Sequence, residues 1–176
     1  MNIKNDFFMP IAVLFSICLF VSAALAIVNN VTRPVIDEGG RIRAAEARRQ
    51  IIPHADEFVL LAAEGMPRSV TEVHRAANGA GYVFTVTVIG YGGEIRILCG
   101  VDSDGKIIRA AVLSHTETAG LGTPVFEEHH AGQYWERDIN GIDGISIISG
   151  ATITSVAFKN AMRDALRAFE TARTQQ

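Results

Sequence analysis

Apolar residues are concentrated in one stretch near the beginning of the chain. Residues 7–28 form a run of 22 positions without a charged side chain. About 20 apolar residues are enough for a helix to cross the hydrocarbon core of a bilayer. The pattern therefore predicts one transmembrane helix that anchors the chain in a lipid bilayer.

A cleavable signal peptide is the alternative interpretation of this run, because Ala24-Leu25-Ala26 resembles a cleavage site. The run is longer, however, than the roughly 7–15 apolar residues of a usual signal core. We therefore expect residues 1–28 to remain as a single-pass anchor in the inner (cytoplasmic) membrane. The C-terminal domain should then lie on the outer, periplasmic side.

The residues after the anchor are more polar and indicate a connecting segment. Residues 29–38 contain Pro34 and predict a short stalk. A helix is expected over residues 40–52, because this stretch is rich in alanine and must stop before Pro53. The predicted organisation is an anchor at 1–28, a stalk and helix at 29–55, and one domain at 56–176.

The middle of the chain alternates between apolar and polar residues, which is typical of strands. In residues 81–89 the alternation places Phe84, Val86 and Val88 on one face. A sequence suited to a hairpin turn follows at residues 102–105. The pattern predicts an antiparallel sheet with strands at 58–61, 81–89, 94–99 and 107–113.

The last third of the chain combines loops, one predicted strand and a long helix. Residues 115–124 are irregular, residues 125–130 predict a short helical piece, and residues 142–148 predict a strand. Residues 154–172 carry apolar side chains at helical spacing. The fold class is therefore α+β: an antiparallel sheet with packed helices, preceded by one N-terminal transmembrane helix.

Composition and charge narrow the possible functions. The net charge of −3 and the pI of about 5.9 give no basis for binding nucleic acid. Cys18 in the predicted anchor and Cys99 in a predicted strand suit neither a disulfide nor an iron–sulfur or zinc site. A Glu-Glu-His-His run at residues 127–130 is more typical of a solvated helix face than of a metal site. Any redox cofactor should therefore be organic.

A turn of small and hydroxyl-bearing residues precedes the last predicted helix. It reads Ser149-Gly150-Ala151-Thr152-Ile153-Thr154-Ser155. Small residues allow a ligand to approach the backbone closely, and the helix behind them offers free N–H groups to a phosphate. Ser and Thr are also favoured at helix N-termini for backbone reasons alone. On these residues alone, a plain helix cap is the favoured interpretation.

A second loop, at residues 115–122, is punctuated by glycine and carries polar side chains. It reads His-Thr-Glu-Thr-Ala-Gly-Leu-Gly and directly follows a predicted strand. Such a loop can lie against a flat ring and donate or accept hydrogen bonds along its edge. An ordinary turn explains the same residues equally well.

Together the two motifs resemble the FMN-binding domain shared by the G subunit of the Rnf complex and the C subunit of the sodium-pumping NADH:quinone reductase. The family's Ser/Thr-Gly-Ala-Thr motif corresponds to residues 149–152, and its preceding Asp-Gly to Asp143-Gly144. Its His-x-Glu-Thr-Pro-Gly-Leu-Gly motif matches residues 115–122, except that Ala119 replaces the proline. The Gly-Tyr-Gly-Gly segment at residues 90–93 is also similar.

The resemblance implies a cofactor and its attachment site. In this family the last Thr of the Ser-Gly-Ala-Thr motif is esterified to FMN through its phosphate, and a dedicated flavin transferase makes the bond. Here that residue is Thr152. The resemblance implies no catalytic or metal-binding residue, and it places the following residues around the flavin: Tyr91, Gly92, Glu117, Thr118, Gly120, Leu121, Gly122, Ser149, Gly150, Ala151, Thr154 and Ser155.

The function implied by the resemblance is electron relay within a membrane-bound, ion-translocating ferredoxin:NAD oxidoreductase of the Rnf type. The expected partners are the other subunits of that complex, a flavin transferase and the lipid bilayer. One alternative is the equivalent FMN subunit of a sodium-translocating NADH:quinone reductase or of an extracellular respiratory reductase. A further alternative is a membrane-anchored module that binds a phosphate ligand without redox chemistry.

Overall fold

The computed structural model describes residues 3–55 and 57–174. The chain divides into two compact units, Met1–Ile42 and Arg43–Gln176. Helix α1 covers Ile3–Ile51, so it begins in the first unit and ends in the second.

The described part of the first unit is helical, and its apolar side chains from Phe8 onward face outward. Phe8, Leu14 and Phe20, for example, are each more than 60% exposed. The helix has a stretch with a mean hydropathy of 2.8, long and apolar enough to cross a membrane. Apolar side chains in that number are stable on the outside of a helix when the surroundings are lipid rather than water.

Residues 29–38, which were predicted as a stalk before a separate helix, are helical and belong to α1. Pro34 lies inside the helix, as Pro10 does. A proline removes one backbone hydrogen bond and crowds the carbonyl four residues earlier. In a helix of 49 residues the turns on both sides keep their own hydrogen bonds. The helix ends at Ile51, two residues before Pro53, which was expected to stop it.

The second unit is built on one antiparallel sheet of five strands in the order β1-β2-β3-β4-β5. Every neighbouring pair in the sheet is antiparallel. The strands are β1 (Phe58–Leu61), β2 (Val70–Ala76), β3 (Gly81–Ile89), β4 (Glu94–Asp102) and β5 (Ile107–Ser114).

Both faces of the central strands are buried. Phe84 and Val86 of β3 pack in a core cluster that includes Phe158 of helix α3 (Thr152–Thr174). Val83, which points to the opposite face of β3, belongs to a second cluster with Ile51 at the end of α1. The sheet is therefore held between α3 and the last turns of α1, which confirms the α+β class.

Two short 3₁₀ turns and helix α2 lie between β5 and α3. They cover Thr123–Phe126, Glu128–Ala131 and Gly132–Tyr134, with α2 as the middle element. These short elements correspond to the helical piece expected at residues 125–130.

Two elements differ from the sequence prediction. Strand β2 was not predicted, because its buried residues Val70, Val73 and Ala76 are spaced three apart, and a bulge interrupts its pairing between Val70 and Glu72. The strand predicted at residues 142–148 is absent, and turns and irregular chain take its place. Its buried residues, Ile142 and Ile145, are also three apart, whereas a strand with one buried face needs a spacing of two.

Candidate functional site

Three segments meet at one end of the sheet and enclose a cavity of about 330 Å³. They are the turn between β3 and β4, the loop after β5, and the first turn of α3. This volume lies at the lower end of the range of about 300–1,000 Å³ that is typical of small-molecule sites. The residues lining the cavity are Tyr91, Glu117, Thr118, Leu121, Gly122, Gly150, Ala151, Thr152, Ile153 and Thr154.

The N-terminus of α3 opens into this cavity. Thr152 is the first residue of the helix, and the backbone N–H of Ser155 donates to the carbonyl of Ala151 at 2.8 Å. The N–H groups of the first helical residues have no partner within a helix, and the helix dipole adds partial positive charge there. Gly150, with φ of +86°, turns the chain into the helix. The cavity wall is therefore suited to hold an anionic group such as a phosphate.

The hydroxyl groups of this turn fall into two classes. Thr154 is 1% exposed and donates to Oε2 of Glu117 at 2.7 Å. Ser155 is fully buried, and its hydroxyl accepts the N–H of Ile148 at 3.1 Å. Thr152 and Ser149 are exposed, and of these two only Thr152 lines the cavity. Thr152 therefore carries the accessible hydroxyl of this helix terminus within the cavity.

Glu117 forms the base of the cavity and joins the three segments. Its side chain is 8% exposed. Oε1 accepts the N–H of Gly92 at 2.9 Å, and Oε2 accepts the hydroxyl of Thr154 at 2.7 Å. The Thr116 hydroxyl adds a link to the same turn, because it donates to the carbonyl of Gly92 at 2.9 Å.

Glycines make room for this carboxylate. A Cβ atom at Gly90 would overlap Oε1 of Glu117, and one at Gly122 would lie 2.5 Å from Oε2. A Cβ at Gly92 would overlap the carbonyl oxygen of Thr116. The close approach of the turn and the loop therefore requires glycine at these three positions.

Two basic side chains of α3 hold the segment before the helix. Lys159 donates to the backbone carbonyl of Asp143 at 3.2 Å and to that of Ile145. Arg163 pairs with the carboxylate of Asp143 at 2.7 Å. These contacts fix the irregular chain that leads to Ser149 against the helix whose N-terminus forms the cavity wall.

The thiol of the second unit and two ring side chains are shielded from solvent. Burial raises the pKa of Cys99 to about 12. Burial also lowers the pKa of His130, helped by the positive charges of His129 and Lys159, and raises that of Tyr134 to about 12. Tyr134 packs edge-on against Phe158, with ring centroids 5.3 Å apart. In the described part of the chain, no group of His, Cys, Asp and Glu is arranged to hold a metal ion.

The structure brings most of the expected site residues to the cavity wall. Of those expected, Ser149, Gly92, Gly120 and Ser155 do not line it, although Gly92 and Ser155 support residues or segments that do. Ile153 lines the cavity and was not expected. An apolar residue within a polar helix start, here 54% exposed, is the signal that could have identified it.

Comparison with known proteins gives consistent matches. The FMN-binding domain family matches residues 90–167. The chain is 29% identical to the G subunit of the Na(+)-translocating ferredoxin:NAD(+) oxidoreductase complex of Acetobacterium woodii, over 90% of this chain and 89% of the relative. It is 27% identical to the G subunit of the proton-translocating ferredoxin:NAD(+) oxidoreductase complex of Clostridium ljungdahlii, over 85% and 84% respectively.

A third relative is similar at a higher identity over a shorter segment. The G subunit of the ion-translocating oxidoreductase complex of Methanosarcina acetivorans is 31% identical over 136 residues, which cover 69% of this chain and 72% of the relative. The matched family region contains the three segments that form the cavity. The chain therefore belongs to the FMN-binding domain family, among the G subunits of ion-translocating oxidoreductase complexes.

Proposed function

We propose that this chain is the electron-relay flavoprotein subunit of a membrane-bound, ion-translocating ferredoxin:NAD oxidoreductase complex, with FMN bound covalently to Thr152. The observation that carries the attachment site is the division of hydroxyl groups at the start of α3. Thr154 and Ser155 are buried in internal hydrogen bonds, whereas Thr152 is exposed and lines the cavity.

The cavity wall has the chemistry that FMN requires. A phosphoester on Thr152 would place its charged oxygens at the N-terminus of α3, where free N–H groups and the helix dipole favour an anion. Tyr91, Leu121 and Ile153 line the cavity and are each more than half exposed, so they offer apolar surface to a flat ring. When bound, the flavin would supply the one- and two-electron chemistry, and the protein would position and tune it.

A covalent bond has a physical advantage for a cofactor on the outer side of the membrane. A ligand that dissociates there is lost by dilution, whereas a tethered group stays at high effective concentration. The proposal accordingly includes an outer location of the second unit and a flavin transferase, which joins the hydroxyl oxygen of Thr152 to the FMN phosphate of FAD and releases AMP. The apolar start of α1 supports anchoring in the inner membrane.

Thr152→Ala tests the attachment site directly. The chain and the variant are expressed together with a flavin transferase, and covalent flavin is detected by ultraviolet fluorescence of the denatured protein in a gel. The variant should lose all fluorescence. Thr118→Ala is the matched control, because Thr118 is also an exposed threonine that lines the cavity but stands outside the helix terminus. Fluorescence lost from Thr118→Ala and kept by Thr152→Ala would contradict the assignment.

The relay role has its own test. The purified chain with its flavin should be reduced by dithionite but should not oxidise NADH at an appreciable rate. The chain purified from its native membrane should bring with it iron–sulfur subunits of the Rnf type. Rapid NADH oxidation by the isolated chain, or co-purification with a quinone-reactive set of subunits instead, would contradict this role.

A further inference from the structure

Glu117 is the one residue with a carboxyl group among the cavity-lining residues that the structure describes. It is also one of the few buried polar residues of the described chain. Burying a carboxylate is costly unless its oxygens are hydrogen-bonded. Both oxygens of Glu117 are, one to the N–H of Gly92 and the other to the hydroxyl of Thr154. The side chain therefore acts as an acceptor on both sides, as an ionised carboxylate does.

The two partners of Glu117 are far from it in the chain. Gly92 lies 25 residues before it and Thr154 lies 37 residues after it. One carboxylate thus connects the β3–β4 turn, the loop after β5 and the first turn of α3. These contacts are made between groups of the protein itself, so Glu117 links the three cavity walls directly.

The surroundings of Glu117 leave its carboxylate little freedom to move. Gly90 and Gly122 approach it so closely that a Cβ atom at either position would collide with it. The charge is therefore fixed at the base of the cavity. A fixed negative charge there opposes the addition of electrons to a neighbouring group, because like charges repel and the repulsion is weakly screened away from water.

We propose that Glu117 is a positioning residue for the flavin, which sets the arrangement of the three walls and lowers the flavin's reduction potential through its charge. This inference rests on the proposed function, because it requires a flavin in the cavity. Glu117 positions the walls through its hydrogen bonds to Gly92 and Thr154, and it lowers the flavin potential through its negative charge.

Glu117→Gln separates charge from shape. Glutamine has nearly the same size, its oxygen can still accept the N–H of Gly92, and its amide can donate to the hydroxyl of Thr154. The measurement is the midpoint potential of the covalently bound flavin in the full chain, co-expressed with a flavin transferase. We expect the ratio of reduced to oxidised flavin at a fixed potential to rise about tenfold, which is about 30 mV for a two-electron couple.

Glu72→Gln is the matched control for loss of one negative charge. Glu72 is half exposed on β2, pairs with Arg96 and does not line the cavity. Its substitution should leave the flavin potential unchanged. An unchanged potential in Glu117→Gln, or equal shifts in both variants, would overturn the role of the charge. So would loss of covalent flavin from a folded Glu117→Gln chain, because Glu117 would then act in attachment.

Glu117→Asp tests the positioning role without any flavin. Aspartate keeps the charge but is one methylene shorter, so it cannot reach both partners. When the Glu117→Asp chain is made by a host that lacks a flavin transferase, the amide hydrogen exchange of residues 90–93 should be about tenfold faster than in the natural chain. Unchanged exchange would overturn the positioning role.

If Glu117→Gln fails to fold, Thr154→Val replaces it in the measurement of the flavin potential. This variant removes one hydrogen-bond donor to Glu117, so the negative charge is less compensated and the flavin potential should fall. An unchanged potential would overturn the proposal.

The attachment of flavin and the role of Glu117 are tested by different measurements. If a competent transferase attaches no flavin to the natural chain, the proposed function fails, while the hydrogen-exchange result on the flavin-free chain still stands. If flavin is attached but neither its potential nor the exchange of residues 90–93 responds to Glu117, the inference fails and the proposed function remains.

Discussion

The base and the rim of the cavity differ in how their polar groups are used. The base consists of the buried residues Glu117, Gly122, Ala151 and Thr154, and the rim of the exposed residues Tyr91, Thr118, Leu121, Gly150, Thr152 and Ile153. In the base, the polar side chains of Glu117 and Thr154 bond each other. The rim contributes two threonines and three large side chains with apolar surface. The base therefore maintains the shape of the site, and the rim is available to a ligand.

The largest effect on stability is expected from crowding the glycine turn between β3 and β4, which supports the base through the hydrogen bond of Gly92 to Glu117. Gly92→Ala places a methyl group against the backbone carbonyl of Thr116 and next to the contact with Glu117. The turn must move, which should lower the free energy of unfolding by about 3 kcal/mol. Gly144→Ala is the matched control, because a Cβ there meets no atom within 4 Å. Urea denaturation of the flavin-free chain in detergent measures both, and equal stability of the two variants would remove the distinction between base and surface.

A pair of identical substitutions compares base with rim directly. Thr154→Val removes the hydroxyl that Glu117 accepts and leaves one buried oxygen without its donor, at a cost of about 2 kcal/mol. Thr152→Val makes the same change two residues earlier on the exposed rim, where the stability should stay within about 0.5 kcal/mol. The same denaturation experiment reports both values. A larger loss from Thr152→Val would show that the rim also supports the fold.

Acid should lower the free energy of unfolding through His130, which belongs to neither the base nor the rim of the cavity. Burial lowers the pKa of His130, so the unfolded chain, with a usual His pKa of 6.5, binds a proton more readily than the folded one. The contribution of His130 to the free energy of unfolding is therefore fully present above pH 6.5 and is lost as the pH drops through that value toward the folded pKa. His130→Gln should reduce this pH dependence. The measurement is denaturation at about pH 7.5 and about pH 5.5, which lie about one unit above and below the usual His pKa. His54→Gln changes an exposed histidine and should leave the pH dependence unchanged. If His54→Gln reduced the pH dependence and His130→Gln did not, the acid sensitivity would not come from His130.

The smallest effect on stability is expected from an apolar residue of the rim. Leu121 is 52% exposed, so Leu121→Ala should change the free energy of unfolding by no more than about 0.5 kcal/mol. If Leu121 contacts the flavin ring, the covalently bound flavin should become more mobile. Time-resolved fluorescence anisotropy of the flavin then shows faster decay in the variant. Unchanged anisotropy together with a large loss of stability would place Leu121 in the base.

The sequence predicts those parts of the fold in which local pattern and tertiary environment agree. Strands β3, β4 and β5 alternate regularly, and the helical spacing of α3 is clear, so these elements were predicted close to their observed bounds. The buried residues of β2 are spaced three apart and give no strand pattern, and Ile142, Ile145 and Ile148 pack on the core from turns and irregular chain. Pro34 suggested a break in a helix that is in fact continuous.

The prediction of the site from sequence is limited in the same way when single residues are considered. Motif resemblance was enough to predict nearly all the residues that line the cavity. It did not show that Thr154 and Ser155 are buried in internal bonds while Thr152 is exposed, because the three occur together in one short turn. It also did not show the role of Glu117, whose partners are 25 and 37 residues away. Contacts between distant segments leave no local pattern in a single sequence.

The exposed hydroxyl of Thr152 at the start of α3 is the proposed attachment point of FMN. The most direct measurement is peptide mass spectrometry of the chain purified from a host that supplies a flavin transferase. We expect FMN on the peptide that contains Thr152, with fragmentation placing the phosphoester on that residue and leaving Thr154 and Ser155 unmodified. An unmodified Thr152, with FMN mapped to another residue of the same chain, would contradict it.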